Sequence, residues 1–140
     1  MQAYDKVPGC KDFYWIEGYS AEYRNGRLVY RIEPIPAEYK DNAIRVFRNL
    51  QIIRDYFNAR LMITYVGCMY RTPNYNRICG GAKLSKHLKS LAADVSVSGV
   101  PSIEVYKFAR DNTEFKGFGI ISEKSIHLDL RLKYWFYVYK

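Results

Sequence analysis

The run Ser125-Ile126-His127-Leu128-Asp129-Leu130-Arg131-Leu132 alternates polar and apolar residues without a break. Successive side chains of a strand point to opposite faces, so a strand here sets Ser125, His127, Asp129 and Arg131 on one side and four aliphatic residues on the other. Such a strand needs a sheet with one face covered by the rest of the chain and one face open. The segment Ala92–Val97 is built the same way, with Ala92, Asp94 and Ser96 opposed to Ala93, Val95 and Val97. If both apolar faces line one core, Asp94 and His127 share the opposite surface.

The other elements follow from period and punctuation. Asn25-Gly26 lies between Ala21-Glu22-Tyr23-Arg24 and Arg27-Leu28-Val29-Tyr30, a dipeptide suited to the positive-φ positions of a type I′ hairpin. Over residues 36–58, Ile44, Phe47, Leu50, Ile53 and Phe57 recur at steps of three and four, which predicts an amphipathic helix with Arg45, Arg48 and Asp55 on other faces. A strongly apolar strand is expected over 61–66, a short helix over 73–78 ending at Gly80-Gly81, and a helix from Pro101 to about Asn112. Residues 118–139, rich in β-branched and aromatic side chains, read as two or three antiparallel strands. The mixed order gives an α+β fold with a central antiparallel sheet and flanking helices, and 140 residues have room for a single domain, 1–140.

Composition narrows the partners. The net charge is +8 and 14 of the aromatic residues are tyrosines, so an anionic polymer is expected: nucleic acid, an acidic cell wall or membrane headgroups. No segment has the roughly 20 apolar residues of a membrane span, and the first residues lack the apolar centre of a signal peptide, so a soluble product without a secretion signal is expected. Beyond its basic balance the chain has no nucleic-acid motif. Cys10, Cys68 and Cys79 are odd in number and lack CxxC spacing, which fits reduced, partly buried thiols rather than a disulfide framework or a four-cysteine zinc site.

Only two histidines are present, His87 and His127. His87 lies seven residues before Asp94, after a Gly80-Gly81 and Ser85 stretch that can fold back over the sheet. Two imidazoles and one carboxylate suit tetrahedral zinc with the fourth position left to water, the open arrangement of catalytic sites. No HExxH helix is present, and the plainer alternative is a half-buried strand whose polar face is solvated.

A more specific pattern runs through these residues. Tyr70-Arg71-Thr72-Pro73-Asn74-Tyr75-Asn76-Arg77, Gly80-Gly81-Ala82, and Ser85-Lys86-His87 with Ala92-Ala93-Asp94 resemble the core motif of the zinc D-Ala-D-Ala carboxypeptidase and L-alanyl-D-glutamate endopeptidase family. Its SxHxxxxAxD element falls on Ser85, His87, Ala92 and Asp94, and its later His-x-Asp strand on His127 and Asp129. Asn49-Leu50-Gln51 and Ile53-Arg54-Asp55 are similar to the helix before the motif in small bacterial and phage members. The resemblance spans about residues 36–137. It implies the hedgehog/DD-peptidase fold with zinc on one sheet face, His87, Asp94 and His127 as the zinc ligands, and Arg71 as the arginine that steadies the substrate carbonyl.

The chain also departs from that pattern. Many members of the family carry an acidic residue three positions before the last histidine, where this chain has Lys124. A peptidase needs a base to accept the proton of the attacking water. Asp129, by strand parity, and Glu123, in the preceding turn, remain as candidates, with orientation of His127 or pairing with Arg131 the other role open to Asp129. Ser90 replaces a family glycine, a tolerable change unless φ there is positive. Cys68 stands near the Tyr-Arg pair, where packing is its expected role. Lys83, Lys86 and Lys89 flank the loop, either as a solvated face or as attraction for anionic substrate. The aromatic segments 134–139 and 13–15 could stack on sugar rings or serve as edge and core. The expectation is a monomeric zinc peptidase cleaving peptidoglycan stem peptides, made in the cytoplasm and acting on the wall as a phage or accessory product. The alternative is an inactive zinc-binding structural or wall-binding domain, and a nucleic-acid binder is the weakest reading.

Overall fold

The computed structural model describes residues 1–64 and 69–139. Two sheets and three α-helices follow in chain order: strands β1 (Ser20–Arg24) and β2 (Arg27–Glu33), helix α1 (Lys40–Phe57), β3 (Leu61–Ile63), α2 (Pro73–Ile78), β4 (Ala92–Val97), α3 (Ser102–Asn112), β5 (Gly117–Ile120), β6 (Ser125–Asp129) and β7 (Trp135–Val138). The hairpin β1–β2 turns at Asn25 and Gly26, with φ of 53° and 74°, as a type I′ turn requires.

The second sheet has the order β3-β4-β6-β5-β7. Its pairings are antiparallel except the last, where β7 runs parallel to β5. This corrects the expectation of antiparallel strands throughout the C-terminal third. After β6 the chain crosses the start of β5 through residues 130–134 and pairs with the far edge of β5, so it arrives in the same direction as β5. The crossing also ends the alternating strand at Asp129: Leu130 is still buried, but Leu132 is 97% exposed.

Register sets the two faces. Leu61 and Ile63 pair with Val97 and Val95, Ala93 and Val95 with Leu128 and Ile126, and Phe118 with Leu128. This apolar face packs against α1 and α3. On α1 the fully buried positions are Ala43, Val46, Phe47, Leu50 and Ile53. Ile44 and Phe57, expected in the same stripe, are half-buried at its margin, because the covered face is centred about one residue earlier. Phe13 and Trp15 are core residues packed on Phe47. Asn49 and Gln51 tie α1 to its surroundings, Asn49 to the backbone and side chain of Glu114, Gln51 to Asp12 and Asp55.

The opposite face carries Ala92, Asp94 and Ser96 on β4, His127 and Asp129 on β6, Gly117 and Gly119 on β5, and Trp135 and Tyr137 on β7. Among the described residues no α-helix covers it in the way α1 and α3 cover the other face. Of the apolar strand expected over 61–66, Leu61–Ile63 is a strand, and Tyr65, Val66 and Cys68 lie outside the described residues. Cys10 is buried and Cys79 exposed, both free.

Candidate metal centre

Asp94 and His127 are direct cross-strand partners on the open face. His87 reaches them from a single 3-10 turn, Lys86–Lys89, started by Ser85, whose hydroxyl accepts the His87 N–H, and closed by Ser90 in the left-handed region. The backbone N–H of Ser90 returns to the His87 carbonyl, and Leu91 then leads directly into β4. The left-handed Ser90 (φ 56°) is buried and its hydroxyl has no hydrogen-bond partner among the described residues. The replacement of glycine therefore falls under the stated exception of a positive φ and is a strained one.

One ligand atom each from His87, Asp94 and His127 lies within 4.8 Å of the others. His127 Nδ1 is 2.9 Å, and His87 Nε2 3.4 Å, from Asp94 Oδ1. Both spacings are close to the edge of roughly 3.3 Å in a tetrahedron with metal–nitrogen bonds of about 2.0–2.1 Å.

The outer nitrogens are already committed. His87 Nδ1 lies 2.9 Å from the Met69 carbonyl, which can only accept, so Nδ1 carries the proton and Nε2 presents its lone pair inward. That Nε2 is buried without a hydrogen-bond partner among the described residues and faces Asp94 Oδ1 at 3.4 Å, a donor set that suits a cation. His127 Nε2 donates to Asp129 Oδ2 at 2.8 Å, leaving Nδ1 for the cluster. Such carboxylate–histidine pairs fix the ring and raise its basicity. Asp129 in turn accepts from the backbone N–H, Nε and Nη2 of Arg131 at 2.7–3.1 Å, and the Arg131 guanidinium lies 4.4 Å from the centre of the Trp135 ring.

Charge follows the geometry. Burial pushes the Asp94 carboxyl up, but His87 and His127 outweigh it and hold it well below the usual carboxylate range. Asp129 behaves likewise, with Arg131 and His127 opposing its burial. His87, fully buried, is pushed down.

The cluster lies in a depression of about 910 Å³ also lined by Arg71, Lys86, Arg131, Trp135 and Tyr139. Arg71 donates from Nη1 to Asn76 Oδ1, has Nη2 3.7 Å from Asp94 Oδ2, and is pinned by its N–H to the His87 carbonyl. Its loop is braced by β1: Glu22 accepts from Thr72 and Asn74, and Ser20 Oγ from the Thr72 N–H.

The chain matches the family model of peptidase M15 over residues 24–129, about three quarters of its length. It belongs to the peptidase M15 family. No curated protein matches it. The M15 match spans Arg71, His87, Asp94 and His127, which the fold brings together in one depression.

The two base candidates separate. Asp129 touches His127 but is fully buried with both oxygens occupied, the arrangement of an orienting carboxylate. Glu123 is exposed and lines another depression, with Arg60, Ser96 and Lys124. The sequence reading missed the glycine pair of β5. A Cβ at Gly117 would lie 2.1 Å from Asp129 Oδ1 and 2.5 Å from Arg131 Nε, and one at Gly119 would lie 2.6 Å from Tyr139 Cε2. Glycine at two alternating positions of a strand was the available signal, since alternation puts both on the face of His127.

Proposed function

We propose that this M15 member is a zinc-dependent peptidase acting on peptidoglycan stem peptides, at a D-Ala-D-Ala terminus or an L-Ala-D-Glu bond. The observation that carries the reading is the convergence of His87 Nε2, Asp94 and His127 Nδ1 with their outer nitrogens already bonded. These three would hold the ion, and three protein ligands leave a position for water. The ion, when bound, supplies an acidified water and a counter-charge for the oxygen that becomes negative. Arg71 borders the depression beside Asp94 and adds fixed positive charge toward the substrate carbonyl. Asp129 holds the His127 ring, and Arg131 holds Asp129. Lys86 lines the depression and, with the overall +8 charge, favours approach of a peptide rich in carboxylates.

The test joins metal analysis with digestion of purified sacculi. Zinc in the isolated protein, lost in His87→Ala, together with muropeptides cut at a stem-peptide bond, is expected. Protein purified without zinc, with His87→Ala altering neither metal content nor stability, would sink the proposal. A second reading is supported by Lys124 and by the absence of an unengaged carboxylate in the depression among the described residues: a zinc-binding domain without catalysis. Zinc bound at His87, with no muropeptide released, would select it.

A further inference from the structure

Strand β7 alternates like its neighbours, so Trp135, Tyr137 and Tyr139 project to the side of the cluster. The first two are committed to packing. Trp135 stacks under Arg131 and meets His127 edge-on at 6.3 Å, and Tyr137 stacks on Trp135. Tyr139 continues the line, its N–H bonded to the Ile120 carbonyl. Its ring lies across Gly119, the direct partner of His127. A Cβ on Gly119 would be 2.6 Å from Tyr139 Cε2, 3.4 Å from its Cζ and 3.4 Å from His127 Cβ. The Cε2–Cζ edge of the ring, which bears the hydroxyl, therefore lies over Gly119, and Tyr139 lines the same depression as Arg71, His87 and Asp94. Burial and the charges of Asp94 and Asp129 push the pKa of its hydroxyl up against the opposing charges of Arg131 and Arg71, and the hydroxyl makes no hydrogen bond among the described residues.

A phenol is protonated at neutral pH, and this one is a neutral donor beside the His87–Asp94–His127 cluster, in a depression whose two guanidinium groups, Arg71 and Arg131, are engaged with Asp94, Asn76 and Asp129. We infer that Tyr139 is a catalytic residue, its O–H donating a hydrogen bond to the carbonyl oxygen of the scissile amide as that oxygen becomes negative, with Arg71 the second donor. The inference rests on the peptidase reading above. It gives both glycines of β5 a purpose: Gly117 clears the Asp129–Arg131 pair, and Gly119 clears the phenol.

Tyr139→Phe keeps the ring and removes only the O–H. One lost donor to a developing oxyanion costs about 10²-fold in kcat. The variant should show that loss on stem-peptide substrate with KM, zinc content and melting temperature unchanged. Calorimetry on the zinc-loaded protein should show a similar loss of affinity for a phosphinate stem-peptide analogue, which carries the tetrahedral oxygens, and no loss for the product peptide. Gly119→Ala, which displaces the ring, should lower kcat similarly. A Tyr139→Phe enzyme within twofold of wild type in kcat overturns the inference and leaves the peptidase reading standing, as does a loss shared equally by phosphinate and product. A zinc-loaded wild type that neither cleaves stem peptide nor binds the phosphinate overturns both.

Discussion

Because the chain has two histidines, the protonation of its metal-free cluster can be followed one ring at a time. Both nitrogens of His127 face carboxylates, Nδ1 toward Asp94 at 2.9 Å and Nε2 toward Asp129 at 2.8 Å, so without metal both carry protons. Burial alone would lower the His127 pKa, but the hydrogen bonds and charges of Asp129 and Asp94 hold it up at about 9. A folded-state pKa raised above the unfolded value near 6.5 adds stability that is complete below pH 6.5 and lost as pH rises through about 9. At about 1.4 kcal/mol per pH unit the loss is ~3 kcal/mol across that window. His87, pushed below its ordinary value by burial, contributes an opposite slope only below about pH 6.5. A metal ion takes the place of the Nδ1 proton, so the zinc-loaded protein should keep its stability across the window. The assay is an NMR titration of the two imidazoles in chelator-treated protein, paired with urea unfolding of the metal-free and loaded forms at pH values of about 6 and 9. One ring titrating near 9, the other below 6.5, and a urea stability that falls only without metal are expected. Two rings titrating together near 6.5, or a metal-free form equally stable at both pH values, would refute the reasoning.

Two further outcomes follow from the glycine and serine positions. Gly117→Ala drives a methyl group into Asp129 Oδ1 and Arg131 Nε; melting and metal titrations should show a loss of about 1–3 kcal/mol from overpacking and metal binding weakened about 10–100-fold as the support of His127 shifts. Ser90→Gly relieves a left-handed residue and removes a buried hydroxyl without a partner among the described residues; chemical unfolding should show a gain of about 1 kcal/mol, and a loss instead would mean that the side chain packs more than it strains.

The elements that could be read from sequence were those whose pattern is local. Strand Ala92–Val97, helix Pro73–Ile78 and the Asn25-Gly26 hairpin fall where period and turn chemistry set them. The shared face of Asp94 and His127 was legible because each strand alternates and its apolar side must face the core, while His87 lies on a turn that strand parity does not place. Register and crossings were not legible. Nothing local states that β7 pairs parallel to β5, and the role of Asp129 depends on that crossing, which lays Arg131 against it at the point where Gly117 makes room. Glu123 looked available because it is near His127 along the chain, yet the turn before β6 directs it to another depression, and its carbonyl accepts the Ser102 N–H at the start of α3. Strain at Ser90 hangs on the sign of φ, which only the folded backbone decides.

The M15 match ends at Asp129, while the groups that hold Asp129 lie beyond it. His127 leans on Asp129, Asp129 on Arg131, Arg131 on Trp135, and Trp135 on Tyr137, each by a contact that restricts the group before it. Removing the outermost of these residues would leave the ligand set intact but loosen the ring that must present Nδ1. Under the proposed zinc reading such a chain of supports should act on metal affinity before it acts on fold, because the core on the other face of the sheet is built from Phe47, Leu50, Phe118 and Leu128. The aromatic tail, which by composition alone suggested either sugar stacking or an edge strand, is an edge strand, and its Trp135 and Tyr139 rings line the depression that holds His87, Asp94 and His127.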